Sequence, residues 1–260
     1  MQVIKIGGLE LEQLDFIAAL AGMLRTDSEP TVLVHGGGPA LDQMQRKLGL
    51  SPRKVDGLRV TRSDDLEAAL MVLSGSTNKR LTATLAHYSV PAVGLSGIDG
   101  GLITCRKVDH DGADLGWVGQ VEAVEPSLLT GLMQAGFVPV VSPLSTGKDG
   151  AIYNVNADEV AGALAGALGA SSLAIVSNVP GVIIDGRVVR RADLSDIEAW
   201  LASGKAEGGM IPKLRAAAYA LRHGVPRVFI LDSPALADRG GTAFIPSRPA
   251  SVPYGPVWAQ

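Results

Sequence analysis

Three glycine clusters in this 260-residue chain follow short apolar runs: Gly7-Gly8 after VIKI, Gly36-Gly37-Gly38 in VLVHGGGP, and GLSGIDGG from Gly94 to Gly101. Each glycine costs roughly 0.5–1 kcal/mol of backbone entropy against alanine, so something must approach the backbone closely there. Bare N–H groups at the head of a helix attract anions, phosphate above all. Tight turns alone would also use glycine, but three clusters at strand ends, with Lys5 two residues ahead of the first, favour a phosphate site. Lysines are scarce, eight of the 23 basic residues, which makes the placement of two of them informative. Lys5 alternates inward on an apolar strand, where an ammonium needs an anionic partner. Lys213 lies one turn into a helix that follows Glu207-Gly208-Gly209-Met210; an ordinary exposed helix lysine is the alternative there.

Several familiar chemistries are absent. No G-x-x-x-x-G-K-[ST] occurs, and the glycines at 36 and 38 are followed by Leu41 where G-x-G-x-x-G needs its third glycine, which excludes the P-loop and dinucleotide fingerprints. GLSG at 94–97 is one residue short of the hydrolase elbow G-x-S-x-G. His35, His87 and His223 lack the spacing of a zinc site. Asp109-His110-Asp111 with Asp114 reads as a solvated hairpin turn rather than a metal loop, because Gly112 interrupts it.

The elements that must position these residues follow from periodicity. Val3–Ile6, Thr31–Val34, Ala92–Leu95, Phe137–Val141, Leu173–Val176 and Arg227–Leu231 read as strands. Leu11 to Arg25, Pro39 to Leu48, Asp158 to Leu168 and Met210 to His223 read as helices. Ser63, followed by Asp64 and Asp65, reads as the N-cap of a further long helix. Gly101–Val108 and Trp117–Val121 suggest a hairpin on a sheet edge. The βαβ rhythm predicts an α/β fold, a three-layer α/β/α sandwich with a mostly parallel central sheet. A change of roles near residues 168–172 divides one continuous fold into an N-terminal lobe, 1–170, and a C-terminal lobe, 171–260.

Composition agrees with a globular chain: 47% hydrophobic, 19% charged, 4% aromatic and a net charge of −3. The mild acidity and the lack of basic blocks argue against nucleic acid and membrane as partners and leave a small-molecule substrate. The run from Val160 to Ile184 carries no charge and contains Gly162-Ala-Leu-Ala-Gly166. It could mimic a membrane span, but Gly169, Ser171, Ser172, Asn178 and Pro180 favour helix, turn and buried strand. Cys105 is the only cysteine, which rules out an intrachain disulfide and fits a reducing cytoplasm. The N-terminus has no signal-peptide pattern.

Taken in order, IKIGG, LVHGGGP, DGLRVT, LSGSTNK, VGLSGIDGGLI, FVPVVSPL, NVNAD, SNVPGV and GGMIPK resemble the amino acid kinase family, from Val3 to Phe244. Within it the chain is similar to the branch that phosphorylates N-acetyl-L-glutamate with ATP in arginine biosynthesis. The resemblance implies that Lys5 and Lys213 neutralise the γ-phosphoryl group, with Asp158 holding both lysines. Gly7, Gly8 and Gly37 would offer backbone N–H groups to the same phosphate. Arg59 would grip the α-carboxylate of the amino-acid substrate, with Asn154 and Gly38 on its head group. The nucleotide would lie on the C-terminal lobe against Asn178, Val179, Gly181, Val182, Ile183, Glu207, Gly209 and Met210. Mg²⁺ would be held through the ATP phosphates with no protein ligand.

The resemblance also implies a homodimer. Members that form arginine-inhibited hexamers carry a helix before the first strand, whereas here Met1 and Gln2 run straight into Val3. Leu66, Leu70, Leu73 and Leu81 would supply the dimer face. Two departures stand out: Asn178 replaces a frequent aspartate, and Ile98 a frequent lysine. A related branch that phosphorylates aminoadipate on a small carrier protein often shows asparagine at the first position, but its loops lack HGGGP and DGLRVT. A non-catalytic sensor on the same fold would have no need of Lys5, Asp158 and Lys213 together.

Overall fold

The structure, a computed structural model, describes residues 1–55, 58–109 and 113–246. Asp56 and Gly57 of DGLRVT, and His110, Asp111 and Gly112 of the acidic turn, lie outside the described residues. The chain runs β1 (Gln2–Ile6), α1 (Leu14–Thr26), β2 (Thr31–His35), α2 (Gly38–Lys47) and a small hairpin, β3 (Lys54–Val55) and β4 (Leu58–Arg59). Next come α3 (Ser63–Ala69), a π-helical stretch Leu70–Thr77, α4 (Asn78–His87), β5 (Ala92–Ser96), β6 (Ile103–Lys107), β7 (Val118–Val124) and α5 (Ser127–Gln134). Then follow β8 (Val138–Ser142), β9 (Leu144–Gly147), β10 (Ile152–Val155), α6 (Ala157–Ala167) and β11 (Ser172–Val176). The last part holds β12 (Ile183–Ile184), β13 (Arg187–Val188), β14 (Arg191–Ala192), α7 (Leu194–Ala202), α8 (Met210–Arg222), β15 (Val228–Leu231) and β16 (Thr242–Phe244).

Eight strands form the central sheet in the order β14-β16-β15-β11-β1-β2-β8-β5. Every pairing in it is parallel except β15 with β16. The Val- and Ile-rich strands suit burial on both faces, as a parallel sheet demands. Alternation along β1 sends Val3 to one face and Ile4 and Ile6 to the other. Val160, Leu164, Leu214 and Ala217 of α6 and α8 cover the first face. Phe16, Ile17, Leu20, Leu81 and Leu85 of α1 and α4 cover the second. This is the three-layer sandwich, with β1 and β11 joining the two halves of the chain inside one sheet.

The uncharged run from 160 to 184 resolves into α6, a turn and β11. Among the described residues no helix is long and apolar enough to cross a membrane.

Four local expectations change. The helix that the spacing begins at Leu11 begins at Leu14, because Glu10–Glu12 wind as a 3₁₀ turn that ends at an extended Gln13. Ser63 is the first residue of α3 rather than its cap. The cap position is Arg62, whose N–H donates to the Asp65 carboxylate at 3.0 Å, while Ser63 Oγ accepts from Trp117 Nε1. The hairpin of β6 and β7 does not extend the main sheet, because β9 and β10 close it into a separate four-stranded barrel. Leu73 and Leu81 of the expected dimer face are buried in this chain's own core. The π-helical stretch between α3 and α4 changes the angular step along the helix, so leucines at α-helical spacing no longer share a face.

Helices α6 and α8 approach closely because glycine lies at their contact. A Cβ on Gly162 would sit 2.9 Å from the Ala216 carbonyl oxygen and 3.3 Å from its Cα. Gly22 in α1 has nothing within 4 Å. Overpacking costs about 1–3 kcal/mol, and alanine recovers roughly 1 kcal/mol of helix propensity. Gly162→Ala should therefore lower the melting temperature and Gly22→Ala should raise it. Thermal denaturation of the two variants beside the parent chain checks the opposite signs.

Candidate active site

Lys5 lies mid-strand on β1, on the face that α6 covers, and is 6% exposed. The carboxylate waiting for it is Asp158, in the first turn of α6, where Asn156 caps the helix by accepting the Asp158 N–H at 2.8 Å. A helix N-terminus favours a negative charge. Lys5 Nζ stands 2.7 Å from Asp158 Oδ1, and Lys213 Nζ, from the first turn of α8, stands 3.1 Å from Oδ2. One carboxylate thus bridges two ammonium groups. Burial by itself would raise the Asp158 carboxyl, but attraction by both lysines outweighs it and holds the group below the ordinary carboxylate range. Burial also holds the Lys5 ammonium below its usual value, with Asp158 opposing that shift and Lys213 adding to it.

These three residues sit on a cleft of about 370 Å³. The cleft also draws together Gly7, Gly8, Gly37, Gly38, Arg59, Asn154, Asn178 and Gly209. The N-termini of α2, α6 and α8 all open onto it. Two lysines and three helix ends make a positive pole in an otherwise acidic protein, and such an arrangement can cradle a polyanion.

The glycine loops are shaped by each other before any ligand arrives. A Cβ on Gly8 would meet Pro39 Cδ at 2.7 Å and Gly38 N at 3.1 Å, and one on Gly37 would meet Leu73 Cδ2 at 2.6 Å. Gly7 departs from the expectation that it offers its N–H. The parallel ladder of β1 and β11 continues one residue past β1, so the Gly7 N–H already donates to the Val176 carbonyl at 3.0 Å. Among the described residues no backbone or side-chain acceptor is seen at the Gly8 or Gly37 N–H.

Arg59 reaches the cleft from the β3–β4 hairpin. Its Nη1 lies 2.5 Å from Asp42 Oδ1 and donates to Gln45 Oε1 at 2.8 Å, both on α2. Gln45 Nε2 in turn donates to Asp65 Oδ1 at 2.6 Å, which ties the hairpin to α3. Asn154 donates to Thr61 Oγ1 at 3.3 Å. The remaining nucleotide candidates, Val179, Gly181, Val182, Ile183, Glu207 and Met210, do not line the cleft. Val182 is fully buried and its N–H is engaged by Thr242 Oγ1 at 2.8 Å, whereas Ile183 and Glu207 face solvent.

Three neighbours escaped the sequence reading. His35, fully buried, donates from Nδ1 to the Gly36 carbonyl at 2.7 Å and accepts from Asn78 Nδ2 at 3.1 Å. Burial lowers this imidazole to about 4, so it stays neutral and pins the three-glycine turn. Asn156 was visible within NVNAD, as a capping residue three positions before Glu159. Glu10, 2% exposed, lines the cleft beside Gly7, and nothing in its sequence neighbourhood signals this. Among the described residues no group of three or more His, Cys, Asp or Glu could hold a metal ion.

Residues 1–232 match the amino acid kinase family. This chain belongs to that family. An acetylglutamate kinase of Chloroflexus aggregans is 45% identical over 250 residues, spanning 96% of this chain and 98% of its own. One from Geobacillus kaustophilus is 46% identical over 242 residues, 92% of this chain and 93% of its own. A crystal structure from Streptococcus mutans superposes with a TM-score of 0.83 at 29% identity, covering 94% of this chain and 98% of that one.

Next to Asp158, Glu159 turns away from the cleft and accepts the Val121 N–H of the barrel at 2.6 Å. Burial pushes its carboxyl up to about 8, with Val121, Arg106 and Arg215 opposing weakly. The folded chain therefore holds this proton over a range where the unfolded chain, titrating near 4.5, has lost it. Stability from this group is full below the lower value and declines as pH rises through the higher one. Glu159→Gln keeps the acceptor and cannot ionise. Its melting temperature should match the parent near pH 5 and exceed it by several degrees near pH 8; parallel curves across that window would refute this.

Proposed function

We propose that this chain transfers the γ-phosphoryl group of ATP to the side-chain carboxylate of N-acetyl-L-glutamate, forming N-acetyl-L-glutamyl 5-phosphate in arginine biosynthesis. The observation that carries this reading is the Lys5–Asp158–Lys213 bridge on a cleft ringed by helix N-termini. The near-full-length relatives named acetylglutamate kinase support the choice of acceptor.

The chemistry needs little from the protein beyond charge and position. A glutamate side chain, with an ordinary pKa near 4.3, is already the nucleophile at neutral pH, so no general base is required. The difficulty is to bring an anion to a polyanion. In this reading Lys5 and Lys213 take up charge on the transferring group, Asp158 keeps both ammoniums aimed, and the Gly8 and Gly37 N–H groups bind its oxygens. Arg59 grips the α-carboxylate as a fork, a bidentate pairing for which it must be shared with or released from Asp42. Asn154 and Gly38 bound the head group. Residues 1–170 hold the acceptor and 171–260 the nucleotide, whose base and ribose lie over Asn178 to Ile183 and Glu207 to Met210. Mg²⁺ bound with the phosphates would supply further neutralisation of their charge. The protein works in the cytoplasm as a homodimer.

Purified chain with ATP and Mg²⁺ should convert N-acetylglutamate to a hydroxylamine-trappable acyl phosphate, and glutamate, aspartate and carrier-linked aminoadipate far more slowly. A preference for any of the other three would overturn the assignment. Lys5→Ala and Lys213→Ala should each lower kcat by roughly 10²–10³ with a smaller change in KM. Arg59→Ala should instead raise KM for N-acetylglutamate and leave that for ATP nearly unchanged, which steady-state kinetics in both substrates will separate.

A further inference from the structure

In the stretch GGLELEQ the chain reverses the usual order of burial. Glu10 is 2% exposed, while its neighbour Leu9 is 46% exposed and Leu14, four residues on, is 69% exposed. Packing alone would turn a leucine inward and leave the acid in water. The 3₁₀ turn Glu10–Glu12 accomplishes the reverse, placing the Glu10 carboxylate over Gly7, where any Cβ would collide with Oε2. Among the described residues the Glu10 side chain has no hydrogen bond and no ion pair. Lys5, though near enough to feel its charge, is paired with Asp158 instead. The residue is enclosed, yet its oxygens stay open to the cleft that the two lysines and the Gly8 loop line.

An acid in an anion-binding cleft is unfavourable unless a cation comes in with the anion. Mg²⁺ meets that need: it takes oxygen ligands, keeps several waters, and is commonly held by one or two carboxylates together with substrate phosphates. A single carboxylate suffices for this, so the absence of a larger acidic group among the described residues does not oppose it. We infer that Glu10 is a ligand, direct or through one water, of the Mg²⁺ that accompanies the nucleotide. The inference rests on the phosphoryl-transfer reading above and departs from the expectation that phosphates alone hold the ion.

The test uses the full chain, the β,γ-imido analogue of ATP and Mn²⁺ as a spectroscopic stand-in for Mg²⁺. Calorimetry gives the analogue's affinity with and without metal, and electron paramagnetic resonance gives the Mn²⁺ bound in the ternary complex. Glu10→Gln, which preserves shape, should weaken Mn²⁺ binding in that complex about tenfold or more. Its affinity for the metal-free analogue should stay level or tighten, since a negative charge beside the phosphates is gone. Glu10→Asp, which keeps the charge on a shorter arm, should fall between the two and guards against a folding defect in the first variant. Equal Mn²⁺ affinity in parent and Glu10→Gln would overturn the inference. So would an equal factor of change in the metal-free and metal-loaded affinities, because Glu10 would then act only on the phosphates or on Lys5. If the parent chain bound the analogue neither with metal nor without it, the phosphoryl-transfer reading itself would fall, and this inference with it.

Discussion

The bridge from one carboxylate to two ammonium groups constrains everything around it. A lone ammonium on the central strand of a buried sheet would not be tolerated, and Asp158 is what allows Lys5 to sit there at all. Two positive charges against one negative give the three-residue bridge itself a surplus of one, set against the Glu10 carboxylate on the same cleft. The ends of α2, α6 and α8 add partial positive charge to the same place. The protein as a whole is acidic, so its affinity for an anion is a local property of this pole. Much of the architecture serves to hold that pole fixed: the parallel sheet carries Lys5, the Asn156 cap holds the start of α6, and the tight α6–α8 contact sets where Lys213 begins.

The glycine turns show two causes acting at once. Gly8 and Gly37 are needed because the loops after β1 and β2 pack against each other and against Pro39 and Leu73. Among the described residues their N–H groups are left without acceptors, so the tight turning itself leaves donors facing the cleft. His35 adds a third element, a neutral ring that holds the Gly36 carbonyl and connects the turn to Asn78 at the head of α4.

The sheet, its parallel sense and the layering were legible because runs such as VIKI, TVLVH and SLAIV carry a strong local signal. The lysines and Asp158 were legible for a different reason, since an isolated charge in an apolar run needs a partner. What escaped the sequence depends on geometry that is not local. No pattern in the letters near Gly7 shows that the β1–β11 ladder runs one residue further and takes its N–H. The π-helical stretch between α3 and α4 hid the true orientation of Leu73 and Leu81. The closing of β6, β7, β9 and β10 into a barrel depends on pairings of strands some forty residues apart, where short segments look like hairpin alone. Helix α7 also went unread, although Asp193 caps it and Asp196 answers with a reciprocal bond.

Helices α6 and α8 run side by side in the same direction. Their contacts advance together, from Asp158 with Lys213 to Gly162 with Ala216 and then Gly166 with Tyr219 and His223. One of the pair precedes residue 170 and the other follows it, so this seam crosses the line between the two halves of the chain. Bending the molecule along that line would pull apart a buried ion pair and a glycine-tight helix contact in the same movement. The clamp is therefore a poor hinge. Whatever breathing admits two substrates and lets two products leave must fall on parts of the rim away from this seam.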